Sequence, residues 1–203
     1  MNPAEIITNA KASGRRSLDE ASGKRLLDAY DIVVPASTTV DGPDALDTAL
    51  ASLTPPFAVK VMSPDILHKS DAGGVVVGLA DAGAVAHAIR TMQDVPAIRA
   101  SQIEGFLVEE MAPAGQEIVI GAIREPQFGP MIMVGLGGIF VEVLADVAFR
   151  LCPITEGDAR AMLGELRGAA LLRGARGHDA VSEDAIVNAL LRIGGADGLL
   201  MAH

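Results

Sequence analysis

The sequence predicts an α+β fold of two lobes. Two observations carry this expectation. A strand-helix-strand-helix order up to about residue 94 gives way to a strand-rich stretch and then to closing helices. No G-x-G-x-x-G lies between a strand and a helix, and no G-x-x-x-x-G-K-[ST] occurs, which argues against a doubly wound dinucleotide or P-loop sheet. The division is expected in the linker around Pro96, within residues 94–104, giving an N-terminal arm (1–16), a first lobe (17–97) and a second lobe (98–203).

Each element has its own justification. Ser17-Leu18-Asp19-Glu20 is a capping-box pattern and predicts a helix to about Tyr30, with Leu18, Ala21, Leu26 and Leu27 near one face. Ile32-Val33-Val34-Pro35 reads as a short strand closed by proline. Pro43 suits a first helical position before the helical period of Ala45, Leu46, Ala49, Leu50 and Leu53. Phe57 to Met62 is a buried-strand candidate interrupted by Lys60, residues 63–74 are loop, and Val75-Val76-Val77 resumes as strand. Asp81 is expected to cap a helix through Ala84, Ala88, Ile89 and Met92. Strands are expected at 105–111, 117–123, 131–135 and near 147–151, and closing helices open at Thr155 and Ser182.

Composition narrows the class. The 203 residues carry 26 acids and 16 bases, a formal charge of −10, which lacks the footprint of a nucleic-acid binder. Half the residues are hydrophobic, which excludes disorder. The longest uncharged stretch, 126–141, falls short of the roughly 20 apolar residues of a membrane span. The start has no basic region before an apolar core, and Cys152 stands alone. A soluble, cytoplasmic protein is expected. Residues 57–79 balance Lys60 and Lys69 against Asp65 and Asp71, whereas 31–56 hold four acids and no base. A neutral stretch in an acidic chain suits a phosphate ligand.

Four constellations could carry chemistry. Lys60 sits in an apolar strand, where an ammonium must find an anion or reach solvent. The loop from Ser63 to Gly74 gathers His68, Lys69, Ser70, Asp71, Gly73 and Gly74, a mix suited to phosphate binding. His68 in it is a candidate base, metal ligand or phosphoryl acceptor. Glu109, Glu110 and Glu117 offer carboxylates for ribose, adenine or a metal, or form a solvated hairpin. Glu142 and Asp146 interrupt apolar surroundings and present hard oxygens of the kind magnesium prefers, with Arg150 a fork for phosphate; a salt-bridged strand pair explains them equally well.

The run from Lys60 through His68-Lys69-Ser70-Asp71-Ala72-Gly73-Gly74 to Val75 resembles the ATP-grasp domain of ADP-forming acyl-CoA synthetases. So does Gln127-Phe128-Gly129-Pro130 through Gly135-Leu136-Gly137-Gly138 to Phe149-Arg150. The resemblance runs from about Leu18 to about Leu191. It implies an ATP-grasp fold with nucleotide between two α/β lobes, and ATP/ADP and Mg2+ as cofactors. His68 would match a phosphohistidine that passes its phosphoryl group to ADP. Lys60 would hold nucleotide phosphates, and Gly73 and Gly74 would form the loop over them, beside Lys69 and Ser70. Glu110, Met111 and Ala112 would line the adenine hinge, Glu117 would face the ribose, and Asp146 with Glu142 would hold magnesium. A CoA-binding α subunit is the implied partner, in a hetero-oligomer with no nucleic acid or membrane. The alternative is a non-catalytic nucleotide-binding or scaffolding module of the same fold. Two departures stand out. Asp31 follows Tyr30 where the family commonly has glycine, and the family's closing strand with its Asn-Pro is missing after 191, so the second lobe is expected to be short of its last strand.

Overall fold

The computed structural model describes the chain except Met1, Arg16, Ala45, Leu67 and residues 139–144 and 175–179. The chain divides into two compact units, Met1–Ala29 with Val33–Pro113, and Tyr30–Ile32 with Ala114–His203.

The first unit opens with α1 (Pro3–Ala12), where an arm was expected. Asn2 and Glu5 form a reciprocal capping box and Pro3 occupies the first turn, so sixteen polar-looking residues still carry helix signals. Ile6 is the apolar anchor, and it is buried. Helix α2 (Glu20–Asp28) starts later than the Ser17 pattern suggests. Asp19 is the cap, accepting the N–H of Ser22 at 2.8 Å, and Glu20 is thereby left free to point elsewhere. The strand expected at Ile32–Val34 is absent. Val33 is 96% exposed, and β1 (Ser37–Val40) begins only after Pro35, which has no N–H to give a ladder.

The sheet is antiparallel, in the order β1, β4 (Gly105–Glu110), β2 (Phe57–Met62), β3 (Val75–Leu79). Strand β4 is therefore central, paired to β1 through Ser37↔Glu109 and to β2 through Ala58↔Glu109 and Lys60↔Leu107. This moves the division between lobes from residue 97 to after Pro113, because β4 is bound into the first sheet. Side chains alternate across a strand. Phe57, Val59, Val61, Phe106 and Val108 enter one core with Val85, Ile89 and Met92 of α4 (Ala82–Asp94), whose N-terminus Asp81 caps as expected. Lys60 and Glu109 fall on the opposite face. Helices α3 (Leu46–Ala49) and α5 (Pro96–Arg99) complete this unit.

The second unit is built on an antiparallel sheet of β5 (Ile118–Glu125), β6 (Gly129–Leu136) and β7 (Val147–Leu151). Ile132, Val134 and Leu136 of β6 pack against α6 (Glu156–Glu165), α7 (Ala169–Leu172) and α8 (Glu183–Gly194). Thr155 and Asp158 make the capping box of α6, and Ser182 caps α8, both as expected. A final turn, α9 (Leu199–Ala202), follows. By length and composition Glu183–Ala202 passes for a membrane span, an exception to the sequence expectation. Here its Val187 and Leu190 are spent on the core of this unit.

Candidate functional site

The Ser63–Gly74 loop leaves β2 and returns as β3. Ile66 is buried in the first core and holds the outgoing limb. The returning limb is held by Gly74, whose N–H donates to Lys69 O at 2.7 Å, while Val61 N–H donates to Gly74 O at 2.8 Å. Gly73 has φ +71, and a Cβ on Gly74 would lie 2.5 Å from Val61 Cγ1. Both glycines are required by this geometry, one by backbone conformation and one by space. His68 and Ser70 are exposed on the loop between these anchors.

Beside it lies an ionic cluster. Glu20 places Oε1 2.5 Å from Lys60 Nζ and Oε2 3.1 Å from Lys69 Nζ. The second partner of Lys60 is Glu109, at 2.6 Å. Lys24 pairs with the other oxygen of Glu109, and neither Lys24 Nζ nor Glu109 Oε2 has another partner among the described residues. Three ammonium groups thus share two carboxylates. Burial works against ionisation of Glu20, but bonds and charge from Lys60 and Lys69 outweigh it and hold its pKa below the ordinary carboxylate value. Burial pushes the Lys24 ammonium below its ordinary value as well, with Lys60 adding to the effect.

Lys60, Lys69, Ser70, Gly73, Gly74 and His68 therefore share one loop-and-strand neighbourhood. Glu20, Lys24 and Glu109 complete it; of these only Glu109 is a candidate in the sequence, as a carboxylate for ribose, adenine or a metal and not as a partner of Lys60. The signal was present in Lys60, an ammonium in an apolar strand that had to have an anion. Glu110 lies on the other side of β4, where its Oε1 accepts the N–H of Thr54 at 2.7 Å. Met111 follows, its N–H bonded to Pro56 O and its Sδ accepting from Gly78, and Ala112 is exposed. Glu117 belongs to the second unit and is exposed before β5, its backbone O accepting from Gly137 at 2.7 Å.

Two of the expected ligands have partners of their own. Asp146 is 5% exposed, and its two oxygens each accept a backbone N–H at 2.8 Å, from Arg167 and Gly168. It holds the turn that leads into α7. Arg150 pairs with Glu165 of α6 at the surface of the second unit. Glu142 lies outside the described residues. Among the described residues no three His, Cys, Asp or Glu gather as a metal site.

Residues 9–195 match the model of the ATP-grasp domain. The chain belongs to the ATP-grasp family. An ATP-grasp relative, subunit beta of ADP-forming acetate–CoA ligase I of Pyrococcus furiosus, is 39% identical over 192 residues, 94% of this chain and 82% of its own. ADP-forming acetate–CoA ligase I of Archaeoglobus fulgidus is 41% identical over 93% of this chain, which spans only 28% of that longer protein. Among solved ATP-grasp structures, acetyl-coenzyme A synthetase 1 of Ca. Korarchaeum cryptofilum matches with TM-score 0.82 and 38% identity, covering 95% of this chain and 84% of that one. That structure holds coenzyme A and Mg-AMPPCP, and its phosphohistidine segment points towards the nucleotide binding site.

Proposed function

We propose that this chain is the ATP-grasp subunit of an ADP-forming acyl-CoA synthetase, working in the cytoplasm with a CoA-binding α subunit in a hetero-oligomer. His68 carries a phosphoryl group between the acyl phosphate made with the partner and ADP. The observation that carries this reading is the exposed imidazole of His68 next to Lys69, on a loop anchored at both ends beside Lys60. The relatives named above supply the context.

In the direction of ATP formation, a β-phosphate oxygen of ADP attacks phosphorus on His68. The P–N bond breaks, its electron pair stays on the ring nitrogen, and that nitrogen takes up a proton. Phosphoryl transfer asks a protein mainly for positioning and charge neutralisation. Lys60 and Lys69 supply positive charge, and the backbone at Ser70, Gly73 and Gly74 lies over the phosphates. Glu110, Met111 and Ala112 form the adenine hinge.

The test is labelling with γ-32P-ATP, and with acyl-CoA plus labelled phosphate once the partner is added. Label on His68 that is base-stable and acid-labile is the expected result, and His68→Asn should take none. Equal labelling of His68→Asn would sink the reading. Thermal stabilisation by ADP without label under any condition would leave a nucleotide-binding module.

A further inference from the structure

Glu20 is the first residue of α2, and each of its carboxylate oxygens takes one lysine, Lys60 on β2 and Lys69 beside His68. The helix that presents it is fixed locally by Asp19, which accepts both the N–H and the hydroxyl of Ser22. One turn further on, Lys24 pins the same helix to Glu109 on β4. Lys60 keeps Glu109 if Glu20 is removed. Lys69 has no other ionic partner among the described residues. Among the described residues of the stretch between buried Ile66 and the Lys69 carbonyl, which contains His68, the one side-chain ion pair is that of Lys69 with Glu20.

We propose that Glu20 is a positioning residue that ties the His68 loop to β2 through Lys69 and Lys60, and so sets the rate at which His68 exchanges its phosphoryl group. This rests on His68 being the phosphoryl carrier. Charge supports the assignment. Three ammonium groups against two carboxylates leave one net positive charge. Loss of Glu20 leaves two, with Lys60 and Lys69 repelling each other. A nucleotide phosphate would compete with Glu20 for Lys60, so removing the carboxylate charge should not weaken nucleotide binding.

The test compares the full chain as wild type, Glu20→Gln, Lys69→Met and the double variant, with the partner subunit present for turnover. Amide hydrogen exchange across residues 63–74, measured without nucleotide, should be about tenfold faster in each single variant. The kcat for label transfer through His68 should fall about tenfold in Glu20→Gln, with its nucleotide KM at or below the wild-type value. The double variant should be no worse than Lys69→Met. Unchanged exchange in either single variant, additive losses, or a raised KM with kcat intact in Glu20→Gln would overturn the proposal. If the wild type takes no label, the phosphohistidine reading falls and the exchange data alone decide the tether.

Discussion

Glu109 is the most heavily used side chain of the cluster, because it neutralises Lys24 with one oxygen and Lys60 with the other. Removing one partner of a buried pair leaves an uncompensated charge, so Glu109→Ala should cost about 3–5 kcal/mol in denaturant unfolding. The behaviour of Glu20 with pH follows from its depressed pKa in the folded state. Its contribution is fully present above the unfolded value and is lost as pH falls through the folded one. Unfolding measured between about pH 5 and pH 3 should therefore lose stability more steeply in wild type than in Glu20→Gln. Lys60 and Lys69 face this carboxylate directly, with Lys24 and Glu109 adjoining. Of this cluster, Lys60 was legible as an ammonium in an apolar run and Lys69 as part of a polar glycine-ended loop. Glu20 was not, because it lies 40 residues from Lys60 in the chain and already had a local explanation as a helix-capping acid.

Asp146 shows how an element can claim a residue that resembles a ligand. Its carboxylate closes the turn between α6 and α7, and the family resemblance assigned the same buried acid to magnesium. Asp146→Ala leaves two backbone N–H groups without their acceptor and should destabilise the protein by about 2–4 kcal/mol. Thr155→Ala removes one capping bond from α6 and should cost about 1 kcal/mol in the same unfolding assay. Capping signals at Asp81, Thr155 and Ser182 were readable because they are local, a side chain meeting a backbone group three residues on. Ile32–Val34 misled for the opposite reason. β-Branched residues suit a strand, but a strand also needs a partner ladder, and pairing to β4 begins only at Ser37.

At the scale of the molecule, each unit carries its own core. Ile89 is fully buried in the first and Leu190 in the second. Ile89→Ala should cost about 2–5 kcal/mol. Hydrogen exchange should then rise at amides of β2 and β4, with those of β5 and β6 unchanged. The α+β class and most strands were legible from hydrophobic pattern. The division between units was not, because it depends on which strand β4 joins, and pairing partners leave no mark in a local window.

The central place of β4 has a practical consequence for anyone who wishes to produce the first unit by itself. A fragment ending at residue 97 would lack the strand that separates β1 from β2. Both would then present bare hydrogen-bonding edges, and such edges recruit other chains. That fragment should precipitate or elute as large aggregates in size-exclusion chromatography, whereas one running through Pro113 keeps the four-stranded sheet and should remain dispersed.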